Sequence, residues 1–400
     1  MKTESSEAAP DQWVLIRRAR QLLTLRGPSG PRRGLDLSEI GLVTEGALLI
    51  RNGLIVESGS SRRIENLQQA RAAREIDAAG KVVMPAFVDP DVALVTPPAN
   101  RLTGQPPKVP LAVLSKRRLE NAASVTASAF ARVGVLTIGA HTIGSKELRE
   151  ATRTLVIHQS IRNKPLRIRS ILAPNRATTA SELILKWIPA GRKRKLASIL
   201  ELCLSETKEL RAAATAGAGA GYSLRIRSDV PLSCAGIELA IEGGAIAILA
   251  PPPHDSDCAP RLAANGCVYI LTAREALMND GDLASRTRAM IDAGGAVALA
   301  SGHGQTGYAS FNPQFLLYLA STRYRMTPEE GICAATWNAC CSLRMSHVAG
   351  SLEPGRSADL LLMDVPDYRE LSRRAGHNDV QMVMRAGQPI YRRGAILGLD

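Results

Sequence analysis

From Trp13 to about Pro85, apolar residues come in short runs broken by turn-forming residues. WVLIRRARQLLTL predicts a strand, and GPSGPRRG a loop by its glycines and prolines. In GALLIRNGLIVESG two apolar runs flank Asn52-Gly53, the pair favoured in a tight type I′ turn, which predicts a hairpin. REIDAAGKVVMP predicts a further strand pair around Gly80. From Val82 onward the period changes, and short apolar runs alternate with helical stretches. The strand candidates are Val82–Val88, Val135–Ala140, Leu166–Leu172, Ala197–Cys203, Ser223–Arg227, Ala245–Ala250, Cys267–Leu271 and Ala296–Ala300. Helical patterns lie between them, among them RRLENAASVTASAFARVG, SKELREATRTLVIHQS, ETKELRAAATAGAG and SRTRAMIDAGG. Several end in glycine, as helix C-termini often do.

Eight strand–helix units over about 250 residues match the size of a (β/α)8 TIM barrel. An open doubly wound sheet is the rival, but it usually carries a glycine-rich phosphate turn after its first strand; neither GxGxxG nor a P-loop occurs here. After PEEGICAATWNACCSL, strand character returns in GSLEPGRSADLLLMDV and VQMVMRAGQPIYRRG, with a turn at Ala386-Gly387. The predicted fold class is therefore α/β: a TIM barrel plus a small β-sandwich formed by the N- and C-terminal segments. The predicted boundaries are a disordered N-terminus over 1–11, a composite β-sandwich from 12–84 and 345–400, and the barrel over 85–344.

Composition narrows the class. The apolar fraction is 45%, and no apolar run approaches the roughly 20 residues of a membrane span. The start, MKTESSEAAPDQW, is polar and lacks the apolar stretch of a secretory signal. Seven scattered cysteines without a CxxC indicate neither a zinc knuckle nor a disulfide framework, and point to a reducing cytoplasm. The net charge is +13, but its clusters, such as Lys116-Arg117-Arg118 and Arg192-Lys193-Arg194-Lys195, lie far apart with few aromatics nearby. They read as solvated faces rather than a nucleic-acid surface. Neither a nucleic-acid nor a membrane partner is expected.

Four stretches carry a family resemblance. GALLIRNGLIVESG is similar to the first hairpin of the amidohydrolase superfamily, and IDAAGKVVMPAFVDP to the strand that leads into its barrel. MTPEEGICAATWNACCSL resembles the helix after barrel strand eight, and GSLEPGRSADLLLMDVPDYREL the returning β-segment; its Asp-Tyr-Arg-Glu-Leu portion favours the imidazolonepropionase branch. The resemblance spans roughly Trp13 to Gly394. It implies a hydrolase of non-peptide C–N bonds, a homodimer, and a zinc or iron ion at the C-terminal mouth of the barrel. Imidazoles and a carboxylate would hold that ion and leave one position open for water.

The positions that match the family's metal ligands hold other residues. The His-x-His after strand one reads Asp91-Val92-Ala93; strand five ends in Arg227, strand six in Ala250, and the carboxylate position after strand eight is Gly302. No His lies between His158 and His254, and no Asp or Glu between Asp292 and Glu329. The stretch after strand two reads His141-Thr142-Ile143-Gly144-Ser145 where the family has Lys-Ser-Gly-Tyr-Gly. A guanidinium cannot coordinate a metal and repels one. Arg227 is expected to occupy the vacated position and pair with Asp91, with Asp229 as a second candidate partner; the alternative is that it reaches solvent at the barrel mouth. Such a pair is worth about 4 kcal/mol before desolvation, at an effective dielectric near 20.

His141, His254 and His303 fall near strand ends, and with Asp91 they offer a displaced metal site. No HxH or HExxH spacing supports one, so loop histidines at exposed positions are the expectation. Cys340-Cys341 sits in a helical pattern and reads as packed core; Ser301-Gly302-His303 has no triad geometry from adjacency alone. No catalytic residue and no cofactor is assigned. The ligand inventory favours a non-hydrolytic pseudoenzyme that takes a small polar ligand at the mouth. The alternative is a hydrolase of cyclic amides working through a rearranged site.

Overall fold

The computed structural model describes residues 12–96, 113–143, 145, 147–175, 178–203, 207–255, 257–278, 281–304, 312–393 and 395–396. The disordered segment expected over 1–11 and Gly144 lie outside them.

The chain opens with β1 (Trp13–Leu23), β2 (Leu42–Arg51), β3 (Leu54–Ser60), β4 (Arg74–Asp77) and β5 (Val82–Pro85). β2 and β3 form the expected hairpin: Asn52 and Gly53 both take positive φ, 50° and 81°, as a type I′ turn requires. The strand pair expected around Gly80 does not form. β4 and β5 each run parallel to β1 and do not pair with each other, because the turn at Gly80 passes the chain along β1 from one neighbour to the next.

Only Ala86 separates β5 from β6 (Phe87–Val92), the first of eight parallel strands. The others are β7 (Val135–His141), β8 (Arg167–Leu172), β9 (Ile199–Cys203), β10 (Ser223–Arg227), β11 (Ala245–Leu249), β12 (Val268–Thr272) and β13 (Val297–Ala300). They pair in chain order. Helices such as Lys116–Arg132, Leu148–Ile161, Cys234–Glu242 and Leu283–Asp292 lie between them in the chain. Strands covered on both faces need no polar alternation, which is why AIAIL and VYILT are buried throughout. The apolar run Val82–Val88 is thus two strands in two sheets: β5 belongs to the terminal sheet and β6 to the barrel.

The barrel closes where β6 meets β13. Val92 bridges His303, the Ala93 N–H donates to the His303 carbonyl at 2.8 Å, and Asp89 Oδ1 accepts the Ser301 N–H at 3.1 Å. β14 (Leu360–Met363), β15 (Val380–Arg385), β16 (Gln388–Arg392) and β17 (Ala395–Ile396) return to the first sheet. The result is one nine-stranded sheet ordered β17-β16-β15-β14-β5-β1-β2-β3, with β4 beside β1. It encloses its own core, in which Ile16, Leu48 and Ile50 from one half meet Leu360, Leu362 and Met384 from the other. Sheet and barrel are joined by an ion pair between Arg167 of β8 and Asp359 beside β14, and Arg167 Nη2 also donates to Ser357 Oγ at 3.3 Å.

The cysteines depart from expectation. Cys234 and Cys258, 24 residues apart, are disulfide-bonded. One follows β10 and the other β11, so neighbouring barrel loops bring together residues whose spacing carries no signature. Among the described residues no helix is long and apolar enough to cross a membrane.

Candidate functional site

The C-terminal end of the barrel is lined by strand residues spaced two apart. On β10, Leu224 and Ile226 are core residues, while Arg225 and Arg227 occupy the alternate positions, which face inward. Arg225 lies beside Glu201 in the β9–β10 register, and Asp91 comes from the end of β6. Asp91 and Arg225 are fully buried, Glu201 is 1% exposed and Arg227 5%.

These four side chains form one network. Arg227 Nη2 donates to Asp91 Oδ1 at 2.5 Å and Arg227 Nε to Glu201 Oε1 at 2.7 Å. Arg225 Nη2 reaches the same Asp91 oxygen at 3.0 Å, Arg225 Nη1 reaches the Pro90 carbonyl at 2.6 Å, and Arg225 Nε bonds Glu201. Two carboxylates and two guanidiniums sum to zero charge. The expected Arg227–Asp91 pair is present, and Arg227 also holds Glu201. Asp229 is exposed in the loop that follows β10.

The environment fixes the protonation states. Burial pushes the Asp91 carboxyl up, but Arg227, His141 and Arg225 together outweigh it and hold the group below the usual carboxylate range. Glu201 behaves alike: burial raises it, and Arg225 and Arg227 bring it below its ordinary value. For Arg227 burial favours loss of the proton, and Asp91 and Glu201 more than reverse that. His141 closes the group at the end of β7. Burial drops its pKa to about 4 despite the attraction of Asp91. Its Nδ1 accepts the Ile143 N–H at 3.3 Å, leaving the ring proton on Nε2, which faces Asp91 Oδ1 at 3.6 Å. At neutral pH this is a contact of a neutral imidazole with a carboxylate, not an ion pair, and it is too long for a good hydrogen bond.

The other predicted positions fall around this group. Ala93 and Ala250 are buried small residues after β6 and β11, and Gly302 follows β13 with φ +69°, the left-handed region that favours glycine. The expectation of exposed histidines holds for His254 alone. His141 is 1% exposed and His303 8%, because both sit where strands still pack; the His303 ring meets Phe130 edge-on at 5.2 Å. Cys340 and Cys341 are buried core as expected, and burial raises the Cys341 thiol to about 12, so neither is a poised nucleophile.

Sequence reasoning missed Arg225 and Glu201. Both had a signal: SLRIR places two arginines at alternate positions of an otherwise apolar strand, and ILELC places a glutamate mid-strand. A charge at such a position is rarely buried without a partner.

The model of the Amidohydrolase family matches residues 116–390. The imidazolonepropionase of Solibacter usitatus is 31% identical over 420 residues, covering 94% of this chain and 98% of its own. That of Alkaliphilus metalliredigens is 27% identical over 418 residues, covering 96% and 99%. Among solved structures, Aspergillus niger ochratoxinase superposes with a TM-score of 0.73 over 98% of this chain and 99% of its own, at 15% identity. A triazine hydrolase variant gives 0.73 over 97% and 96%, at 14% identity. At those identities the two structures speak for the fold.

Proposed function

Because this chain belongs to the amidohydrolase family and is imidazolonepropionase-like along nearly its whole length, we propose that it is a non-hydrolytic member, a pseudoenzyme whose barrel mouth holds fixed charge in place of a metal ion. One observation carries this reading: Arg225 and Arg227 already satisfy Asp91 and Glu201. A divalent cation does not fit such a group. At about 4 Å and an effective dielectric near 20, each guanidinium would repel a dication by roughly 8 kcal/mol. Of the positions that match the family's ligands, Ala93, Ala250 and Gly302 have no side-chain ligand atom, and the imidazole of His141 faces the already paired Asp91. No step of a metal-assisted hydrolysis is derived for these residues.

The same reading includes a small polar ligand at the mouth, near His141, His303 and the exposed Asp229 and His254, and a homodimer. Both are open to direct test, by thermal-shift screening of cyclic amides and their acids and by sedimentation equilibrium. It also includes residence in the cytoplasm, where the Cys234–Cys258 bond would face reducing conditions.

The test of the central claim is metal content and turnover together. Protein purified without a histidine tag under non-reducing conditions should carry no stoichiometric zinc, iron or manganese. It should leave imidazolone propionate unhydrolysed with each of these ions added. Near one equivalent of metal with measurable ring opening would restore the hydrolase reading.

A further inference from the structure

Outside the charged group, two disulfide-bonded cysteines and a carboxylate converge on the rim of the barrel. Cys234 opens the helix Cys234–Glu242 after β10, and Asp255 and Cys258 lie in the loop after β11. Their Sγ and carboxylate oxygen atoms lie within 4.8 Å of one another. We propose that Cys234, Cys258 and Asp255 form a redox-gated site for one thiophilic divalent cation of the zinc class, closed by the disulfide and opened by its reduction.

The geometry is built by local structure. Ser233 caps the helix, its Oγ accepting the Gly236 N–H at 3.3 Å, and this fixes Cys234 in the first turn. There the helix N-terminus favours thiolate over thiol. Asp255 is held by its own loop: Oδ1 accepts the Asp257 N–H at 2.9 Å, while Oδ2 stands 3.3 Å from the Cys234 sulfur. Cys258 is 2% exposed, whereas Cys234 is half-buried and Asp255 exposed, so a cation would be reached from solvent. Tetrahedral zinc with bonds of about 2.0–2.3 Å wants ligand atoms roughly 3.3–3.8 Å apart. The Asp255 oxygen already has that spacing from one sulfur. Freed of their bond, the two sulfurs need only separate to it, and the fourth position is left to water.

A dithiol, or a phosphine together with one water, breaks the S–S bond and supplies two electrons; the dithiol becomes a disulfide, or the phosphine takes the water's oxygen and becomes its oxide. The two sulfurs take up two protons. Cation binding then releases those protons as the thiolates coordinate. A small-molecule disulfide closes the site again: it takes two electrons and two protons and leaves as two thiols, the Cys234 and Cys258 sulfurs bond to each other, and the cation is released. The site shares no residue with the Asp91–Glu201–Arg225–Arg227 group, so it stands or falls separately from the pseudoenzyme reading.

The test uses the untagged full chain, dialysed against zinc and then buffer, in the presence or absence of a phosphine reductant. The expected result is about one zinc per chain when reduced and none when oxidised. Cadmium should give a thiolate charge-transfer band only in the reduced state. Cys234→Ser and Cys258→Ser should each abolish retention, and Asp255→Asn should weaken it about tenfold. Cys203→Ser, elsewhere on the barrel, should retain it. Cys234 is half-buried, so Cys234→Ser is the variant that should fold normally, checked by its melting curve. Zinc retained by the oxidised protein or by Cys234→Ser overturns the proposal, as does a reduced protein that binds none.

Discussion

Two buried residues show opposite ways of placing a polar group in this barrel. Asp91 is surrounded by compensation: Arg225, Arg227 and a neutral His141 all face it. Removing it leaves two buried guanidiniums sharing the single carboxylate of Glu201, so Asp91→Ala should cost about 3–5 kcal/mol of stability in urea unfolding. A loss under about 1 kcal/mol would mean that water, not protein, balances those charges. His158 is the reverse case. It is fully buried in the helix Leu148–Ile161, and among the described residues neither ring nitrogen has a hydrogen-bond partner. Burial lowers its pKa to about 3. The unfolded chain, with an ordinary imidazole near 6.5, therefore binds more protons than the folded one between those values. Stability attributable to this residue falls as pH drops below about 6.5, and it does not change above that. His158→Leu should match or exceed the parent at pH 7.5. Its advantage should grow by about 2 kcal/mol at pH 5, measured by unfolding at the two pH values. An advantage independent of pH would show that the imidazole is already charged or solvated in the fold.

At the scale of elements, the sequence carried most of the architecture and part of the site. The barrel strands after the first were legible as short, mostly apolar runs bounded by turn-formers, and both tight turns, Asn52-Gly53 and Ala386-Gly387, take the positive φ angles that their type needs. What hydrophobicity alone could not show was pairing. Val82–Val88 reads as one run, yet it serves two sheets. β4 and β5 look like a hairpin and are not one, because parallel pairing to a distant strand leaves no local mark. The Arg227–Asp91 pair was expected because the resemblance puts both residues at positions that match the family's metal ligands. Glu201 and Arg225 lay hidden inside strands read only for their apolar neighbours. One glycine shows how closely the first two barrel strands fit this group. A Cβ on Gly139 of β7 would run into the Pro90 carbonyl oxygen and lie 2.7 Å from Leu343 Cδ2. That carbonyl is the one Arg225 binds. Gly139→Ala should therefore destabilise by about 1–3 kcal/mol, seen as a lowered melting temperature. An unchanged melt would show that β6 can yield without disturbing the charges behind it.

On the scale of the whole molecule, the terminal sheet binds the ends of the chain to each other and to the barrel. β14 lies between β5 and β15, and Asp359 at its start takes Arg167 from β8 and the Ala386 N–H at 2.9 Å. Ending the chain at Leu343 removes β14 to β17 and uncovers Leu22, Leu48, Ile50 and Val83, which those strands help to bury. Such a protein is expected to aggregate or bind a hydrophobic dye strongly, as gel filtration and dye fluorescence would report. A monodisperse product without dye binding would mean that the remaining strands close over themselves. The strand order also sets a timetable for biosynthesis. β1 and β2 find flanking strands at once in β3, β4 and β5, but the other neighbour of β5 is β14, which leaves the ribosome only after the whole barrel has been made. Throughout translation of the barrel β5 presents an unpaired, apolar edge, and the nascent chain is most in need of a chaperone's cover over that interval.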